Sequence, residues 1–244
     1  MNCLILAAGK NTRLDTGKPK SLVSLDGETL LSRHIRIFKA CGVTNFCVIS
    51  GYGGDKLEAY LPDLIDKHQV DISIYHNKRF DLENGFSVFR SKEWVDKWAI
   101  KDFFLTMGDH IFDQEFVQKF ILDSASNPEN LQLAVDLPGE SNDHVDIDDV
   151  TKVKASPDFL IQSIGKEITE YSHYDTGLFR LKSKVFDVFQ QCFDEERYTI
   201  SDSVSELIKS KQARAVPVFG FTWNDVDNPD DLEKTKKLIG GNKL

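Results

Sequence analysis

The feature of the sequence that most constrains the fold is an alternation of short apolar segments with segments of helical period. Apolar stretches of strand length recur along residues 1–136, and the stretches between them repeat their apolar residues every three to four positions. Because parallel neighbouring strands need a long crossover connection, this alternation predicts a doubly wound α/β fold with a mostly parallel sheet. The predicted strands of this part are Met1–Ala7, Asn45–Ser50, Asp71–Tyr75, Asp102–Met107 and Leu131–Asp136. The predicted helices are Leu30–Ala40, Asp55–Leu61 and Gln114–Leu122.

The second half of the chain follows a different pattern. Between Val150 and Leu181 the apolar stretches are short and alternate with polar residues, which is typical of antiparallel strands added to a parallel sheet. The last helix is predicted to have Pro229 in its first turn and Gly240 after its end. No repeat or Pro/Gly-rich linker interrupts the 244 residues, so a single domain is predicted. The other predicted elements are the strands Thr151–Ala155, Leu160–Ile164, Tyr174–Leu181 and Ala213–Phe219 and the helices Val185–Cys192 and Ser203–Ser210.

The composition excludes several classes of function. A formal net charge of −9, from 30 Lys and Arg against 39 Asp and Glu, opposes binding to nucleic acid, whose phosphates attract a basic surface. The apolar run from Cys3 to Ala8 is too short for a membrane span or a signal-peptide core, so a cytoplasmic protein that does not insert in a membrane is predicted. The four cysteines contain no CxxC pair, which favours reduced thiols over a zinc site. None of these features predicts the oligomeric state.

The opening strand leads directly into a cationic loop that contains glycine. Its sequence is Leu4-Ile-Leu-Ala-Ala-Gly-Lys-Asn-Thr-Arg13-Leu14, and Lys18-Pro-Lys20 follows. The small residues of the turn let a ligand approach the backbone, where successive N–H groups bind anions. Residues 10–20 contain four cations and one acid, a local charge of +3, which predicts a small phosphate-rich ligand. The loop matches neither GxxxxGK[ST] nor GxGxxG, the patterns of P-loop and dinucleotide-binding proteins.

Carboxylates follow two other segments that are predicted to end near this loop. Asp109 comes after the apolar strand Asp102–Met107, where open α/β sheets place ligands. Asp225 and Asp227 lie two residues apart on an extended segment before the last helix, so both can face the same way. These carboxylates predict a site for Mg²⁺, an ion that also binds substrate phosphates. The alternative is that Asp109 caps the next helix, and that Asp227 or Asn228 caps the last one.

Two further segments carry polar groups whose role has two interpretations. Asn84-Gly85-Phe-Ser87 combines an amide and a hydroxyl with close backbone access, which suits the polar edge of a pyrimidine and equally the capped N-terminus of a helix. Lys152 and Lys166 lie on otherwise apolar strand-like segments. Each is therefore either a phosphate ligand or a solvent-facing lysine.

Two acidic segments lie in the second half of the chain. Asp175-Thr176-Gly177 offers a carboxylate and a hydroxyl to a polyhydroxylated ligand, and its glycine is also typical of a bulge in a strand. A second acidic run lacks the spacing and the glycine of an EF-hand, so it is predicted to be a solvated loop. This run comprises Asp143, Asp146, Asp148 and Asp149.

The loop, the Gly108-Asp109-His110 segment and the Trp223–Pro229 segment together resemble the nucleotidyltransferases that join a nucleoside triphosphate to a sugar or alcohol phosphate. That family opens with LAAGxGTR followed by PK, and the resemblance implies its Rossmann-like sheet. Asn11 stands where the family has its second glycine. Asparagine is the residue besides glycine that most readily adopts a left-handed backbone conformation.

Segments in the middle of the chain resemble, more narrowly, the CTP:inositol-1-phosphate cytidylyltransferases. The likeness runs from residue 1 to about residue 235. It implies an enzyme that transfers CMP from CTP to L-myo-inositol 1-phosphate, a small phosphorylated polyol, giving CDP-inositol and pyrophosphate. It also implies Mg²⁺ as the cofactor, a nucleotide-binding N-terminal half and an acceptor-binding C-terminal half. The segments concerned are Glu83–Ser87, Asp149–Val153, Ile164–Lys166 and His173–Phe179.

The resemblance implies a role for individual residues as well. Nucleotide binding falls to Leu6, Ala7, Ala8, Gly9, Arg13, Asn84, Gly85 and Ser87. Metal binding falls to Asp109, Asp225 and Asp227. The catalytic cations are Arg13, Lys20 and Lys166, and acceptor binding falls to Lys152, Lys166 and Asp175. Since the acceptor phosphate is already anionic near neutral pH, the chemistry needs cations and a metal rather than a general base.

Other functions are compatible with the same sequence. Tyr171, Tyr174 and Trp223 can form an aromatic cage for choline phosphate, and a sugar 1-phosphate is a further alternative acceptor. Asn11 in the loop is compatible with a non-catalytic subunit that senses nucleotides. A dinucleotide-dependent oxidoreductase is the weakest alternative, because the GxGxxG pattern is absent.

Overall fold

The computed structural model describes residues 1–10, 13–14, 17–139 and 145–240, with strands and helices alternating along the chain. The strands are β1 (Asn2–Ala7), β2 (Ser24–Leu25), β3 (Glu28–Thr29), β4 (Asn45–Ser50), β5 (Asp71–His76), β6 (Asp102–Met107), β7 (His110–Phe112), β8 (Leu131–Asp136), β9 (Lys152–Ala155), β10 (Ile161–Gly165), β11 (His173–Lys182), β12 (Ala213–Pro217) and β13 (Trp223–Asp225). The α-helices are α1 (Leu30–Ala40), α2 (Gly54–His68), α3 (Asn84–Arg90), α4 (Lys92–Lys97), α5 (Gln114–Ser124), α6 (Val185–Asp194), α7 (Ile200–Lys209) and α8 (Pro229–Gly240). A 3₁₀ helix covers Lys20–Leu22.

Nine of the described strands form one sheet. Along the order β10-β9-β11-β6-β1-β4-β5, the strands β6, β1, β4 and β5 are parallel to one another. Strand β11 runs antiparallel to β6, β8 and β9, and β12 pairs with β8. The predicted Rossmann-like parallel sheet with antiparallel additions in the C-terminal half is therefore confirmed.

Helices cover both faces of this sheet, because the side chains of a strand alternate between its faces. On one face, Ile5 of β1 packs in a fully buried cluster with Phe38 of α1 and with residues of α2 and α5. On the other face, Leu4 packs in a second cluster with Trp94 of α4 and with residues of α3, α6 and α7. Apolar burial on two sides accounts for the near-continuous hydrophobic run that β1 has in the sequence.

The carboxyl ends of β1 and β6 lie side by side. Leu6 of β1 is in register with Met107 of β6, so the turn after β1 and the turn after β6 meet at one edge of the sheet. The backbone N–H of Gly108 donates to the carbonyl oxygen of Leu6 at 2.8 Å. A Cβ on Gly108 would lie 2.7 Å from that oxygen, so the approach requires glycine.

The antiparallel half reaches the same edge through a bulge and a short strand pair. The register of β11 against β8 shifts between Asp175 and Phe179, around Gly177, whose φ is +75°. The short strand β13 pairs antiparallel with β7, which places Asp225 opposite His110. These two features bring residues of the C-terminal half next to the turn after β6.

Several element boundaries differ from the predictions. The predicted end of α2 at Leu61 was wrong: the helix continues through Pro62 because Leu64 and His68 extend its buried face. Helix α7 begins before the predicted Ser203, since Thr199 caps it in a capping box. Strand β12 ends before the predicted Phe219, Gly240 is the last residue of α8, and α4 and β7 were not predicted. No helix in the described part of the chain is long and apolar enough to cross a membrane.

Candidate active site

A polar cavity of about 450 Å³ opens where the turns after β1 and β6 meet the C-terminal half. The sequence-predicted residues that line it are Leu6, Ala8, Gly9, Arg13, Asn84, Ser87, Asp109, Lys166, Asp175, Asp225 and Asp227. A smaller adjoining cavity of about 180 Å³ is lined by Ala7 and Lys20, and it shares Leu6, Gly9, Arg13 and Asp109 with the first. The structure thus brings residues from both halves of the chain to one place. Gly85 and Lys152 line neither cavity.

Opposite charges alternate along the wall of the cavity. Lys20 Nζ lies 2.9 Å from Asp109 Oδ2 and also pairs with Asp227. Arg13 pairs with Asp227 through one nitrogen, and its other terminal nitrogen lies 3.1 Å from Asp149 Oδ2. Asp149 also pairs with Lys166. We call this set the charge chain; its members are Lys20, Arg13, Lys166, Asp109, Asp227 and Asp149. Three cations are balanced by three carboxylates, so the chain as a whole is close to neutral.

The carboxylate of Asp109 is held by two partners. Lys20 donates to one oxygen, and His110 Nδ1 lies 3.1 Å from the other. Burial by itself raises the pKa of Asp109, but the His110 hydrogen bond and the Lys20 charge outweigh burial and hold the pKa well below its usual range. The helix-cap alternative does not apply, because Asp113 caps α5 by accepting from the backbone N–H of Phe116. Asp109 is therefore an ionised carboxylate directed at the cavity.

The donor set of the site fits Mg²⁺. Asp109 and Asp225 line one cavity, and carboxylate oxygens are the ligands that this hard cation prefers. Within residues 1–10, 13–14, 17–139 and 145–240, no three His, Cys, Asp or Glu side chains form a group that could hold a metal ion. Mg²⁺ commonly binds through one or two carboxylates together with substrate phosphates and waters, so a pair of carboxylates suffices.

Asp227 has a different environment from the other two carboxylates. Its oxygens pair with Arg13 and Lys20, which ties the glycine loop to the segment before α8. The cap of α8 is Asn228, whose side chain accepts from the backbone N–H of Asp231, while Asp231 accepts from the N–H of Asn228. Asn228 rather than Asp227 therefore caps α8, and Asp227 forms ion pairs with Arg13 and Lys20.

On the N-terminal side, Asn84 and Ser87 line the cavity, and both bond to other parts of the chain. Asn84 Oδ1 accepts from the backbone N–H of Ile200 at 3.0 Å, and Ser87 Oγ accepts from Asn77 Nδ2 at 2.9 Å. Neither residue caps α3, whose N-cap Glu83 makes no side-chain capping bond. Gly85 has a packing role, since a Cβ there would lie 2.5 Å from the carbonyl oxygen of Tyr198.

On the C-terminal side of the cavity, the predicted residues Lys152, Asp175 and Thr176 have different environments. Lys152 donates to the carbonyl oxygen of Lys166 at 2.8 Å, so it supports the backbone of that residue. Burial raises the pKa of Asp175 to about 6, although the N–H of Gly177 donates to its carboxylate at 2.7 Å. The expectation that Thr176 presents a hydroxyl to a ligand was wrong: the side chain is buried and donates to the carbonyl oxygen of Ala134. Asp175 and Gly177 of the bulge line the cavity, whereas Thr176 does not.

The expectation that the acidic run is only a solvated loop was wrong for Asp149. Its carboxylate bridges Arg13 and Lys166, and the pKa is lowered chiefly by the hydrogen bond from Lys166. Asp146 of the same run also lines the cavity. The spacing of residues in the sequence could not predict that Asp149 contacts Arg13, because the two are 136 residues apart. Asp143 and Asn11 lie outside the described residues.

A cationic glycine loop beside β1, carboxylates at the ends of neighbouring elements and a polar cavity between them define a nucleotidyltransferase. Residues 3–145 match the MobA-like NTP transferase domain, and the chain belongs to this family.

Two similar proteins of known name match nearly the whole chain. A "Bifunctional IPC transferase and DIPP synthase" of Aquifex aeolicus is 30% identical over 239 residues, which cover 97% of this chain and 51% of the relative. A protein of the same name from Thermococcus kodakarensis is 30% identical over 97% of this chain and 50% of its own length. The chain thus spans about half the length of these relatives.

Solved structures share the fold along nearly the whole chain. The inositol-1-phosphate CTP transferase of T. maritima superposes with a TM-score of 0.84 at 24% identity, covering 98% of this chain and 94% of that one. A UDP-glucose pyrophosphorylase complexed with UDP-glucose has a TM-score of 0.82 at 12% identity, covering 99% and 98%. These likenesses support the Rossmann-like nucleotidyltransferase fold.

Proposed function

We propose that this chain transfers CMP from CTP to L-myo-inositol 1-phosphate and forms CDP-inositol and pyrophosphate. The observation that carries the proposal is that two adjoining cavities bring Arg13, Lys20 and Asp109 of the N-terminal half next to Lys166 and Asp175 of the C-terminal half. The similarity to relatives named IPC transferase supports the choice of substrates. The two halves then act as one domain, with CTP on the N-terminal side and the acceptor on the C-terminal side.

The chemistry of this reaction is mainly a problem of charge. An oxygen of the acceptor phosphate attacks the α-phosphorus of CTP, a new P–O bond forms, and the bond to pyrophosphate breaks. The acceptor phosphate is anionic near neutral pH, because the second pKa of a phosphate monoester is about 6. No general base is needed, and catalysis consists of aligning two polyanions and stabilising the developing charge.

The charge chain supplies the cations for this task. Arg13 and the backbone around Gly9 bind the β- and γ-phosphates, and Lys20 and Lys166 draw the acceptor phosphate towards the α-phosphate. Asp109 and Asp225 hold Mg²⁺, which when bound neutralises phosphate charge. Arg13 and Lys166 are half exposed, so incoming phosphates can replace Asp149 and Asp227 as their partners.

The surroundings of the cavity favour a polyol over choline. Of Tyr171, Tyr174 and Trp223, only Trp223 lines the cavity, and its indole N–H is bonded to buried Asp136. Tyr171 stacks on Tyr174 and already has the Lys152 ammonium over its ring at 5.8 Å. The aromatic cage that a choline group needs is therefore not formed by these residues. Asp175 instead offers a carboxylate to hydroxyl groups.

The experiment is a grid of CTP, UTP, ATP and GTP against inositol 1-phosphate, choline phosphate and glucose 1-phosphate. Pyrophosphate release and the mass of the product are measured with and without Mg²⁺. We expect a product only in the presence of Mg²⁺, with CTP and inositol 1-phosphate giving the highest rate. Higher rates with choline phosphate or glucose 1-phosphate would overturn the assignment of inositol 1-phosphate as the acceptor. Binding of CTP without pyrophosphate release in any combination would favour a nucleotide-sensing subunit.

A further inference from the structure

Residues 145–151 form a segment that borders the larger cavity and has its own internal support. The backbone N–H groups of Asp149 and Val150 donate to the carbonyl oxygen of Asp146 at 3.2 and 2.9 Å. The side chain of Val150 also packs against the core cluster on the α1 face of the sheet. The place of Asp149 at the cavity therefore does not depend on the ion pairs of its side chain alone.

The carboxylate of Asp149 contacts two cations in the way that a phosphate group would. Its Oδ2 lies 3.1 Å from a terminal nitrogen of Arg13, and its Oδ1 pairs with Lys166. A phosphate group likewise presents several oxygens to neighbouring cations, and a guanidinium binds carboxylates and phosphates with the same donor geometry. Arg13 and Lys166 are also the cations to which the proposed function assigns substrate phosphates. Asp149 thus occupies two of the proposed phosphate-binding groups.

Asp149 is the most exposed carboxylate of the charge chain. Its side chain is 37% exposed, compared with 25% for Asp109 and 15% for Asp227. The two cations that pair with Asp149 are about half exposed, whereas Lys20, which pairs with Asp109 and Asp227, is 18% exposed. Ion pairs in contact with water are weak, because water and salt screen them. Of the three carboxylates, Asp149 is therefore the one that an incoming anion displaces most easily.

We propose that Asp149 is a displaceable substitute for a phosphate group. It pairs with Arg13 and Lys166 until substrate phosphates bind, dissociates from them, and pairs with them again when pyrophosphate leaves. Since these cations bind a phosphate ligand only when Asp149 has dissociated, the apparent affinity for the ligand is reduced by the fraction of molecules in which the cations are available. The inference rests on the proposed function, because it describes how the same cations release the product.

The variant that tests this inference is Asp149→Asn, which removes the competing charge and keeps the size of the side chain. A neutral amide holds the two cations more weakly than a carboxylate does. The matched control is Asp148→Asn, which removes the same charge one position earlier in the chain. Asp148 is exposed and lines neither cavity, so the control measures the effect of net charge alone.

The measurement is the dissociation constant of inorganic pyrophosphate, by isothermal titration calorimetry at fixed ionic strength and without nucleotide. Two exposed ion pairs favour the paired state by about tenfold, so we expect Asp149→Asn to bind pyrophosphate about tenfold more tightly than the wild type. We expect Asp148→Asn to change the dissociation constant by less than about twofold. In the transfer reaction, the inhibition constant of pyrophosphate should fall by the same factor in Asp149→Asn.

A purely structural role of Asp149 predicts the opposite result. If Asp149 mainly keeps Arg13 and Lys166 in place, Asp149→Asn binds pyrophosphate more weakly than the wild type, and the inference is wrong. A dissociation constant equal to that of Asp148→Asn would overturn the inference as well. In both cases the proposed function stands if the wild-type protein transfers CMP to inositol 1-phosphate.

The proposed function fails by a different result. If the wild-type protein binds neither CTP nor pyrophosphate, the proposed function and the inference both fail. Thermal melting verifies that each variant folds. If Asp149→Asn does not fold, Asp149→Ser, which also lacks the charge, replaces it with the same expected result.

Discussion

The parallel and the antiparallel halves of the molecule build their shares of the cavity in different ways. In the parallel half, Gly9 and Asp109 line the cavity because they follow strands that end at the same edge of the sheet. In the antiparallel half, Asp175 reaches the cavity through a bulge at Gly177, and Asp149 through ion pairs. The ends of parallel strands thus specify a site locally, whereas antiparallel additions need irregular backbone and distant partners.

The two halves also differ in the pKa of the carboxylate that each places at the cavity. The pKa of Asp109, in the parallel half, is held low by His110 and Lys20 in spite of burial. The pKa of Asp175, in the antiparallel half, is raised by burial to about 6, and neither Lys20 nor Arg13 pairs with it. The ionised form of Asp109 is thus stabilised where phosphates and Mg²⁺ are proposed to bind. The ionised form of Asp175 is less favourable where the hydroxyl groups of the acceptor are proposed to bind.

The largest expected effect is that of Asp109→Asn. The change removes a proposed carboxylate ligand of Mg²⁺ and one partner of Lys20, so we expect kcat to fall by about 10²- to 10³-fold. The melting temperature should fall only moderately, because the Asp109 charge stabilised by His110 and Lys20 is lost but Asp113, and not Asp109, caps α5. Steady-state kinetics and thermal melting test this, with Asp123→Asn, at an exposed position of α5, as the control. Activity within tenfold of the wild type would contradict the metal role.

Gly177→Ala tests whether the bulge positions the C-terminal side. The residue has φ of +75°, and a Cβ there would lie 2.5 Å from the His110 ring. We expect the free energy of unfolding to fall by about 3 kcal/mol. Urea denaturation measures the change, and Gly139→Ala, where an added Cβ meets no atom within 4 Å, is the control. Equal effects of the two substitutions would show that the bulge is not constrained by His110.

Asp175→Asn sharpens the comparison of the two carboxylates. The raised pKa means that folded Asp175 keeps a proton between about pH 4 and 6 that the unfolded chain releases, so its contribution to stability falls as pH rises through this range. Asparagine still accepts from Gly177 but carries no charge. We expect a gain of about 2 kcal/mol in the free energy of unfolding at pH 8, and almost none at pH 4. A gain of equal size at both pH values would contradict the raised pKa.

Lys166→Ala gives the smallest expected effect and separates the two substrates. Lys166 lies on the proposed acceptor side and is half exposed, so we expect KM for inositol 1-phosphate to rise about tenfold and KM for CTP to change less than twofold. Lys154→Ala is the matched control, since Lys154 pairs with Glu170 and does not line the cavity. Equal increases of both KM values would contradict the proposal that CTP binds on the N-terminal side and the acceptor on the C-terminal side.

The sequence predicts the parallel half well because its signals are local. An apolar strand followed by Ala7-Ala8-Gly9 specifies both the strand end and the loop, and Asp109 follows a second such strand. The same reasoning fails for Thr176, because the direction of a side chain in β11 depends on the register shift at the bulge. A shift of one residue moves each side chain to the opposite face of a sheet.

Contacts between distant segments are the second kind of information that the sequence lacks. Asp149 pairs with Arg13, which lies 136 residues away in sequence, and this pair follows from no motif or period. Gly85 is an intermediate case: the sequence marks it as a position of close approach, and the structure shows that the approaching group is the backbone of Tyr198. Patterns therefore identify where chemistry can occur, whereas partners require the fold.

The most direct test of the account is transfer from CTP radiolabelled at its α-phosphate, with unlabelled inositol 1-phosphate and Mg²⁺. The account predicts that the label moves into CDP-inositol, with unlabelled pyrophosphate released in equal amount. Label that stays in CTP, or that appears only as CMP through hydrolysis, would contradict the claim that the two halves form one site for transfer.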